Sequence, residues 1–207
     1  DMRYPGFRSF EGMVLYSSPN VGPKVAPGKY NIKMTYNDQI LQKEFEIVKD
    51  PRVKISQADY EDQLEFLINV RDEVSRANQK IIDIRNIKNN MIFISEKTRD
   101  NIELQEMINN YLTDVSEIEN NIHMTKNQSR QDPLNYGIRI NNRIAFLLAD
   151  SQRGDYPPTD QSKEFFIQVK GELDSEIMKL DALIDKHSQK IENYLVENKI
   201  ELISLNN

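Results

Sequence analysis

Residues 56–89 read SQADYEDQLEFLINVRDEVSRANQKIIDIRNIKN, and this stretch decides the fold. Ser56 and Asp59 have the spacing of a capping box, which marks the start of a helix. Beyond them, apolar residues recur every three or four positions and so share one face of that helix. The face consists of Tyr60, Leu64, Leu67, Val70, Val74, Ala77, Ile81, Ile84 and Ile87. The stretch therefore predicts a long helix over 56–89 with one buried stripe.

The same pattern returns three more times along the chain. We predict further helices over 96–127, 134–149 and 159–198, with Thr159 capping the last one. Heptad-like spacing of this kind is typical of helices that pack in a bundle. The residues expected to face inward are Leu104, Ile108, Tyr111, Val115, Ile118 and Ile122, then Ile140, Ile144, Leu147 and Leu148, then Phe166, Val169, Leu173, Ile177, Leu180, Ile184, His187, Ile191 and Tyr194.

The first 55 residues are patterned for β structure. Gly12–Tyr16 resembles a short buried strand, and Lys29–Tyr36 alternates apolar and polar residues. Asn37–Asp38 marks a turn, after which Gln42–Val48 returns as the second strand of a hairpin. The residues expected to face a core are Tyr30, Ile32, Met34, Tyr36, Phe45 and Ile47. Three strands cannot close a sandwich, which usually needs about seven, so the sheet is expected to be completed by upstream strands, by the helices or by another chain, and we favour upstream strands.

These features together predict an α+β fold that is mainly α. A partial antiparallel β-sandwich over 1–55 is followed by a long antiparallel four-helix bundle over 56–207. Lys199–Leu205 is expected to end the chain as an extended segment against the sheet. The chain opens at Asp1 without an initiator Met, which is expected of a processed or cut product.

Charge and composition argue against several classes of partner and chemistry. The chain has 207 residues and a net charge of −6; residues 1–55 carry nine Lys/Arg and six Asp/Glu, and residues 56–207 carry 18 and 27. An acidic helical region argues against nucleic acid or an anionic membrane surface as partner. No apolar run approaches the roughly 18–20 residues needed to span a bilayer, so direct membrane insertion is not expected. The lack of cysteine excludes disulfides, thiol catalysis and cysteine–zinc sites.

Few side chains carry recognisable chemistry. His187 falls on the stripe of the last helix and is expected to lie in the interior, whereas His123 is expected to face solvent. Glu44 and Glu46 share one strand face, and a glycosidase needs two carboxylates about 5–10 Å apart across a cleft. Nothing else marks a cleft, so solvated charges are the expected outcome. We predict no catalytic residue, no cofactor and no metal site.

The densest polar stretch is Ser129–Arg143. Asp132 precedes Pro133 and is expected to cap the third helix. The arginine and asparagine side chains of this stretch suit a lock between helix ends, a docking surface for another domain, or a ligand site. The candidate cluster consists of Arg130, Asp132, Asn135, Arg139, Asn142 and Arg143.

Six short motifs follow one another along the chain: Asp1–Gly6, Gly22–Pro23, Pro27–Tyr30, Asp50–Arg52, Ser129–Arg143 and Gly154–Gln161. In order and spacing they resemble the C-terminal region of large exported bacterial proteins with sortilin-like, BNR-type β-propellers, often labelled glycosyl hydrolase. The resemblance implies an immunoglobulin-like sandwich with its first strands upstream, and a location in the periplasm, at the cell surface or outside the cell. Gly137 departs from the proline that the resemblance implies at this position. No catalytic residue of the propeller can be carried onto this chain.

The sequence favours a non-catalytic interaction and spacer module at the C-terminus of an exported β-propeller protein, which docks or orients the propeller or a surface complex. Its expected partners are the upstream propeller and sandwich strands of the same parent protein, and other cell-envelope proteins. One alternative is an accessory part of a carbohydrate-hydrolysing, glycosidase-like enzyme whose catalytic residues lie upstream. Another is a scaffold subunit that assembles through the helices.

Overall fold

A computed structural model describes residues 2–200 and Leu202. Within these residues lie two strands and five helices. They are β1 (Gly28–Tyr36), β2 (Gln39–Ile47), α1 (Gln57–Lys97), α2 (Ile102–Ile122), α3 (Pro133–Tyr136), α4 (Ile140–Ser151) and α5 (Asp160–Glu197). The predicted α+β architecture, mainly helical, is confirmed.

The capping box predicted at the start of α1 is confirmed. The Ser56 hydroxyl accepts from the Asp59 N–H at 3.1 Å, and the Asp59 carboxylate accepts from the Ser56 N–H at 2.8 Å. The predicted end at residue 89 is wrong, because α1 runs to Lys97. Met91 and Ile94 continue the buried stripe through the two additional turns. With 41 residues, α1 is about 60 Å long at 1.5 Å per residue.

The second helix is correspondingly shorter than predicted. It begins at Ile102 rather than residue 96, because the Asn101 side chain caps it by accepting from the Leu104 N–H at 3.0 Å. It ends at Ile122 rather than residue 127, and His123 already has an extended backbone. Of the residues predicted for the start of this helix, 96 and 97 belong to the end of α1, and 98–101 connect the two helices.

The third predicted helix is divided into α3 and α4. Gly137 separates them with a φ of +82°, a left-handed conformation that glycine adopts readily and proline cannot. We had predicted from its position that Asp132 caps α3, and this prediction is wrong. Its carboxylate instead accepts from the N–H groups of Gln128 at 2.7 Å and Ser129 at 2.8 Å, and these bonds hold the pKa of Asp132 below its usual range.

The core lies between the helices. α1 contacts α2 and α4 along its length, and α5 contacts the same two helices. Burial of the inward residues predicted for α2 and α4 is confirmed, whereas on α5 the predicted Phe166, Ile184 and Tyr194 are half-buried. Thr159 caps α5 as predicted, since its hydroxyl accepts from the Ser162 N–H at 3.2 Å. In α1, Phe66 is buried although it was not predicted to face inward. Leu64, which was predicted to face inward, is half-buried.

Residues 3–16 form an extended segment, the N-terminal arm, which lies between α1 and α4. The Asn78 side chain donates to the Arg8 carbonyl at 2.6 Å, and Arg85 donates to the Glu11 carbonyl at 2.7 Å. From the other side, Asn142 of α4 accepts from the Tyr16 N–H at 2.7 Å. The arm therefore runs along a groove between two helices.

The strand predicted over Gly12–Tyr16 is consequently wrong. Phe7 is 3% exposed within the helical core, and Phe10, Met13 and Leu15 pack against it. Backbone groups need partners wherever they leave water, and helix side chains supply them here in place of a neighbouring strand. Met13–Tyr16 are half-buried and not buried as predicted, and Met13 and Leu15 pack against helices.

The described part of the C-terminal segment does not lie against the sheet. The Ile200 N–H donates to the Leu195 carbonyl at 2.9 Å, and both Ile200 and Leu202 pack against the helical core. The remainder of the predicted extended segment, residues 201 and 203–205, lies outside the described residues.

Candidate functional site

The hairpin of β1 and β2 exposes an apolar surface. Tyr30 lies opposite Phe45, and Met34 lies opposite Leu41, so these side chains share one face of the antiparallel pair. We define the hairpin face as the apolar residues Tyr30, Ile32, Met34, Tyr36, Leu41 and Phe45, which share this face with Lys43, opposite Ile32, and Gln39, opposite Tyr36. Toward the turn the exposed fractions reach 54% for Met34 and 69% for Tyr36. The prediction that this face covers a core is therefore wrong for its outer half within the described chain.

The hairpin is anchored only at its base. The Tyr30 hydroxyl donates to the Ala26 carbonyl at 2.7 Å, and Gln57 at the start of α1 donates to the Pro27 carbonyl at 2.9 Å. No Cα atom of either strand lies within 8 Å of a Cα atom in a described helix. Nine residues at about 3.3 Å each make the hairpin roughly 30 Å long, so most of it projects away from the helices.

The opposite face of the hairpin is exposed and mostly polar, with Ile40 as its apolar residue. Glu44 and Glu46 lie on it as predicted, and Glu44 forms an ion pair with Lys29 at 3.3 Å. The Lys29 and Glu44 side chains are 72% and 59% exposed. Exposed pairs of this kind contribute about 0–1 kcal/mol. The arrangement matches ordinary solvated charges.

Both outer edges of the hairpin lack a neighbouring strand within the described residues. An isolated two-stranded sheet is marginally stable in water, and an unpaired edge presents N–H and C=O groups that a further strand can bind. Asn37 and Asp38 both have positive φ, which closes the predicted turn tightly and aligns the two strands. The hairpin thus combines an apolar face with two free hydrogen-bonding edges.

The predicted polar cluster does not form one site. Asn142 is 3% exposed and donates to the Tyr16 carbonyl at 3.0 Å, so it fastens the N-terminal arm. Arg143 points elsewhere and makes a two-pronged ion pair with Glu172 of α5. Arg139 lies beside Arg143 in an open groove between helices. Arg130 and Asn135 are exposed, and Asp132 orders the loop before α3.

His123 is buried, which contradicts the prediction of solvent exposure. It is 2% exposed, its Nδ1 lies 3.2 Å from the amide nitrogen of Asn141, and Phe10 of the arm meets its ring edge-on at 4.9 Å. The Asn141 amide donates to Nδ1, so the neutral ring carries its proton on Nε2. Burial lowers the pKa of His123.

A second buried polar group beside the arm is Glu119, which sequence reasoning did not single out. It is 3% exposed and accepts from Arg85 and Lys88, both at 2.9 Å. Burial raises the pKa of Glu119, but the two cationic donors outweigh burial and lower it. The sequence signal that could have identified Glu119 is its position on the flank of the buried stripe of α2. The cations that it faces on α1 are visible only in the structure.

His187 lies in the interior as predicted. It is 8% exposed, stacks on Tyr111 at 4.8 Å between ring centroids, and has its Nε2 3.1 Å from the carboxylate of Asp114. The ring is therefore held between α2 and α5 by stacking and one hydrogen bond. These contacts suit a structural role for His187.

A cavity of about 170 Å³ lies at the base of the hairpin. Gln63 in its wall donates to the Ser151 and Gly154 carbonyls at 3.0 and 2.7 Å, and Tyr60 donates to Asp155 at 3.3 Å. The Gln63 and Tyr60 side chains of the wall thus hold α1 to the loop before α5. The cavity is also below the usual size of a small-molecule site, about 300–1,000 Å³.

The described residues contain no group of three His, Cys, Asp or Glu side chains placed to hold a metal ion. Each helix in the described part of the chain is too short or too polar to cross a lipid bilayer. The hairpin face is therefore the candidate functional site that the geometry favours. No protein-family model, curated protein or solved structure matches this chain.

Proposed function

We propose that this chain is a non-catalytic interaction and spacer module, and that the hairpin is the part through which it joins its partner. In this proposal further strands from the parent protein pair with β1 or β2 and cover the hairpin face. The first 55 residues then become part of a β-sandwich. The helices form an antiparallel four-helix bundle that acts as a stiff spacer.

The observation that carries the proposal is the exposure of the hairpin face. Ile32, Met34 and Leu41 are each more than half exposed, at 54%, 54% and 59%. Burying apolar surface yields about 25 cal/mol per Å², so covering this face with a partner is favourable. Contiguous apolar surface on a projecting element is typical of an interaction site. The free strand edges favour a partner that binds as a β-strand.

Long helices support the spacer part of the proposal. α1 and α5 have 41 and 38 residues, which correspond to about 55–60 Å at 1.5 Å per residue. Both helices are capped and share a continuous apolar core with α2 and α4. A module of this shape can hold the hairpin, and whatever binds it, at a fixed distance from the far end of the helices.

The cellular context of the proposal comes from the order of the six short motifs. Their resemblance to exported, sortilin-like β-propeller proteins favours upstream propeller and sandwich strands as the partner, with other cell-envelope proteins as further partners. It also favours a location in the periplasm, at the cell surface or outside the cell. Carbohydrate hydrolysis by a shared site finds no support in the surroundings of Glu44, whose neighbours are solvent and Lys29.

Cross-linking in the source cells, followed by mass spectrometry, tests the proposal. Lys33 and Lys43 lie on the hairpin, whereas Lys186 lies on the exposed surface of α5. We expect lysine-reactive reagents to join Lys33 or Lys43 to residues of the parent protein outside this chain, and the polypeptide to be much larger than 24.2 kDa. Lys186 serves as the matched control and should give few such products.

Two results would contradict the proposal. One is a native species of 24.2 kDa whose hairpin lysines give no intermolecular products. The other is turnover of a glycan substrate by the purified chain, because that would require a catalytic site within it. Substituting Ile32 and Met34 by Ser should abolish the cross-links if the hairpin face is the contact.

A further inference from the structure

A second surface, on a different part of the molecule, has the features of a binding groove. It lies between α2, α4 and α5 and has a volume of about 650 Å³. Its walls include Asn121 of α2, Arg139 and Arg143 at the start of α4, and Gly171 and Glu172 of α5. We call it the α4–α5 groove.

The carboxylates of the α4–α5 groove are already neutralised. Glu172 is held by Arg143 through both of its oxygens. Glu176 accepts from Lys179 at 2.6 Å and from the Asn121 amide at 3.1 Å. The negative charges of Glu172 and Glu176 are therefore balanced by Arg143 and Lys179, so these carboxylates do not require a further cation.

Arg139 differs from these residues because it has no counterion among the residues that the structure describes. Its side chain is half-buried, and its Nε lies buried without a hydrogen-bond partner in the described chain. Burying a polar donor without a hydrogen-bond partner is unfavourable. Its guanidinium presents a fork that matches a carboxylate with two parallel hydrogen bonds. The groove thus contains one cation, Arg139, that lacks an anionic partner among the described residues, and an anionic ligand would supply that partner.

Gly171 provides an independent observation about the same groove. It lies in the interior of α5, where glycine is less favourable than alanine. A Cβ atom added at Gly171 would meet nothing within 4 Å, so packing inside this chain does not require glycine there. A glycine on an exposed groove wall lets another backbone approach the helix closely.

We propose that the α4–α5 groove binds an extended acidic segment of a partner protein. One Asp or Glu side chain of that segment pairs with Arg139, and the adjoining backbone packs over Gly171. Charge complementarity selects an acidic occupant, because Arg139 is the groove cation without a counterion among the described residues. This site is separate from the hairpin and does not depend on the function proposed above.

A peptide array tests this site directly. The probes are synthetic heptapeptides with a central Glu or Gln and with Ala, Leu or Ser at the flanking positions. We expect a subset of Glu peptides to bind the intact chain at least tenfold more tightly than their Gln counterparts in fluorescence polarisation. Arg139→Gln should remove that difference. Arg153→Gln, at the other end of α4, is the matched control and should retain it.

Gly171→Leu separates binding from folding. Leucine favours the helix over glycine, so the unfolding temperature should rise, while the added side chain occupies the groove and weakens peptide binding at least tenfold. Equal binding of Glu and Gln peptides would overturn the proposal, as would full binding by Arg139→Gln or Gly171→Leu. Self-association of the chain that disappears in Arg139→Gln would also overturn it, since a second copy would then be the occupant.

Discussion

The side-chain amide of Asn78 lies 2.6 Å from the backbone oxygen of Arg8, so a residue in the middle of α1 supplies the hydrogen bond that a neighbouring strand would give in a sheet. The same side chain accepts from Asn141 of α4 at 3.1 Å. One fully buried amide therefore connects the N-terminal arm, α1 and α4.

Asn78→Leu should destabilise the protein by about 2–3 kcal/mol, because it leaves the Arg8 carbonyl and the Asn141 amide without partners. Urea unfolding followed by circular dichroism measures the change. Asn110→Ala, at an exposed position of α2, is the control and should stay within about 0.5 kcal/mol. Similar losses in both variants would show that the Asn78 hydrogen bonds do not hold the arm.

Large-to-small changes in the core should separate the two faces of the helices. Ile118→Ala and Leu180→Ala should each cost about 2–5 kcal/mol, since both side chains are buried. Glu117→Ala, next to Ile118 but outside the buried stripe, should cost less than about 0.5 kcal/mol. The midpoints of urea unfolding give these values. Comparable costs for Ile118→Ala and Glu117→Ala would contradict the observed packing.

The buried imidazole of His123 predicts that stability falls on mild acidification. Its folded pKa is lowered, so the unfolded chain binds a proton more readily, and stability is complete above about pH 6.5 and decreases below it. Arg85 and Glu119 also face the ring, and Glu119, with its own lowered pKa, titrates at more acidic pH. The slope should not exceed about 1.4 kcal/mol per pH unit for this one group.

Urea unfolding between about pH 7.5 and 5.5 measures this effect. The range starts above the unfolded pKa of histidine and ends below it, while staying above the unfolded pKa of the carboxylates. His123→Gln should flatten the profile, whereas Asn110→Ala should leave it unchanged. A wild-type profile that is flat over this range would mean that the ring is protonated equally in the folded and unfolded chains.

Gly137→Pro should destabilise the region between α3 and α4 by about 1–3 kcal/mol, since proline cannot adopt the φ of +82° found there. Thermal unfolding followed by circular dichroism tests this. Gly171→Ala is a suitable contrast, because it replaces a helical glycine in open space and should stabilise the chain by up to about 1 kcal/mol. A Gly137→Pro variant as stable as the wild type would imply another backbone at that position.

The hairpin face should affect association and leave folding unchanged. Replacing Ile32 and Met34 together by Ser should change the free energy of unfolding by less than about 0.5 kcal/mol, since both side chains are more than half exposed. It should also reduce binding of a hydrophobic dye to the folded chain, which fluorescence reports. A large loss of stability would indicate that these side chains are buried.

Local patterns were sufficient where the local environment decides the structure. The capping box at Ser56 and the stripe from Val70 to Ile84 depend on helix geometry alone, and both are as predicted. Helix ends were less predictable. Residues 91–94 are a continuous apolar run without helical spacing, and tertiary packing buries Met91 and Ile94 while Ile92 and Phe93 stay exposed.

Positions that depend on distant partners could not be predicted from one sequence. Helical periodicity places His123 outside the stripe, but the helix ends at Ile122, and the extended backbone at His123 turns its ring into the core. The apolar residues of the arm show no preference for a sheet over a helix groove until Asn78, Arg85 and Asn142 are brought together. The groove at Arg139 and Gly171 likewise appears only once α4 and α5 are adjacent.

The direction of the N-terminal arm has a mechanical consequence. Pro5, Arg8 and Glu11 meet Arg71, Asn78 and Arg85 in the same order along α1. A pulling force applied ahead of Arg3, parallel to the helix axis, would load these hydrogen bonds in shear, all at the same time. Tension would then pass into α1 instead of peeling the arm away contact by contact.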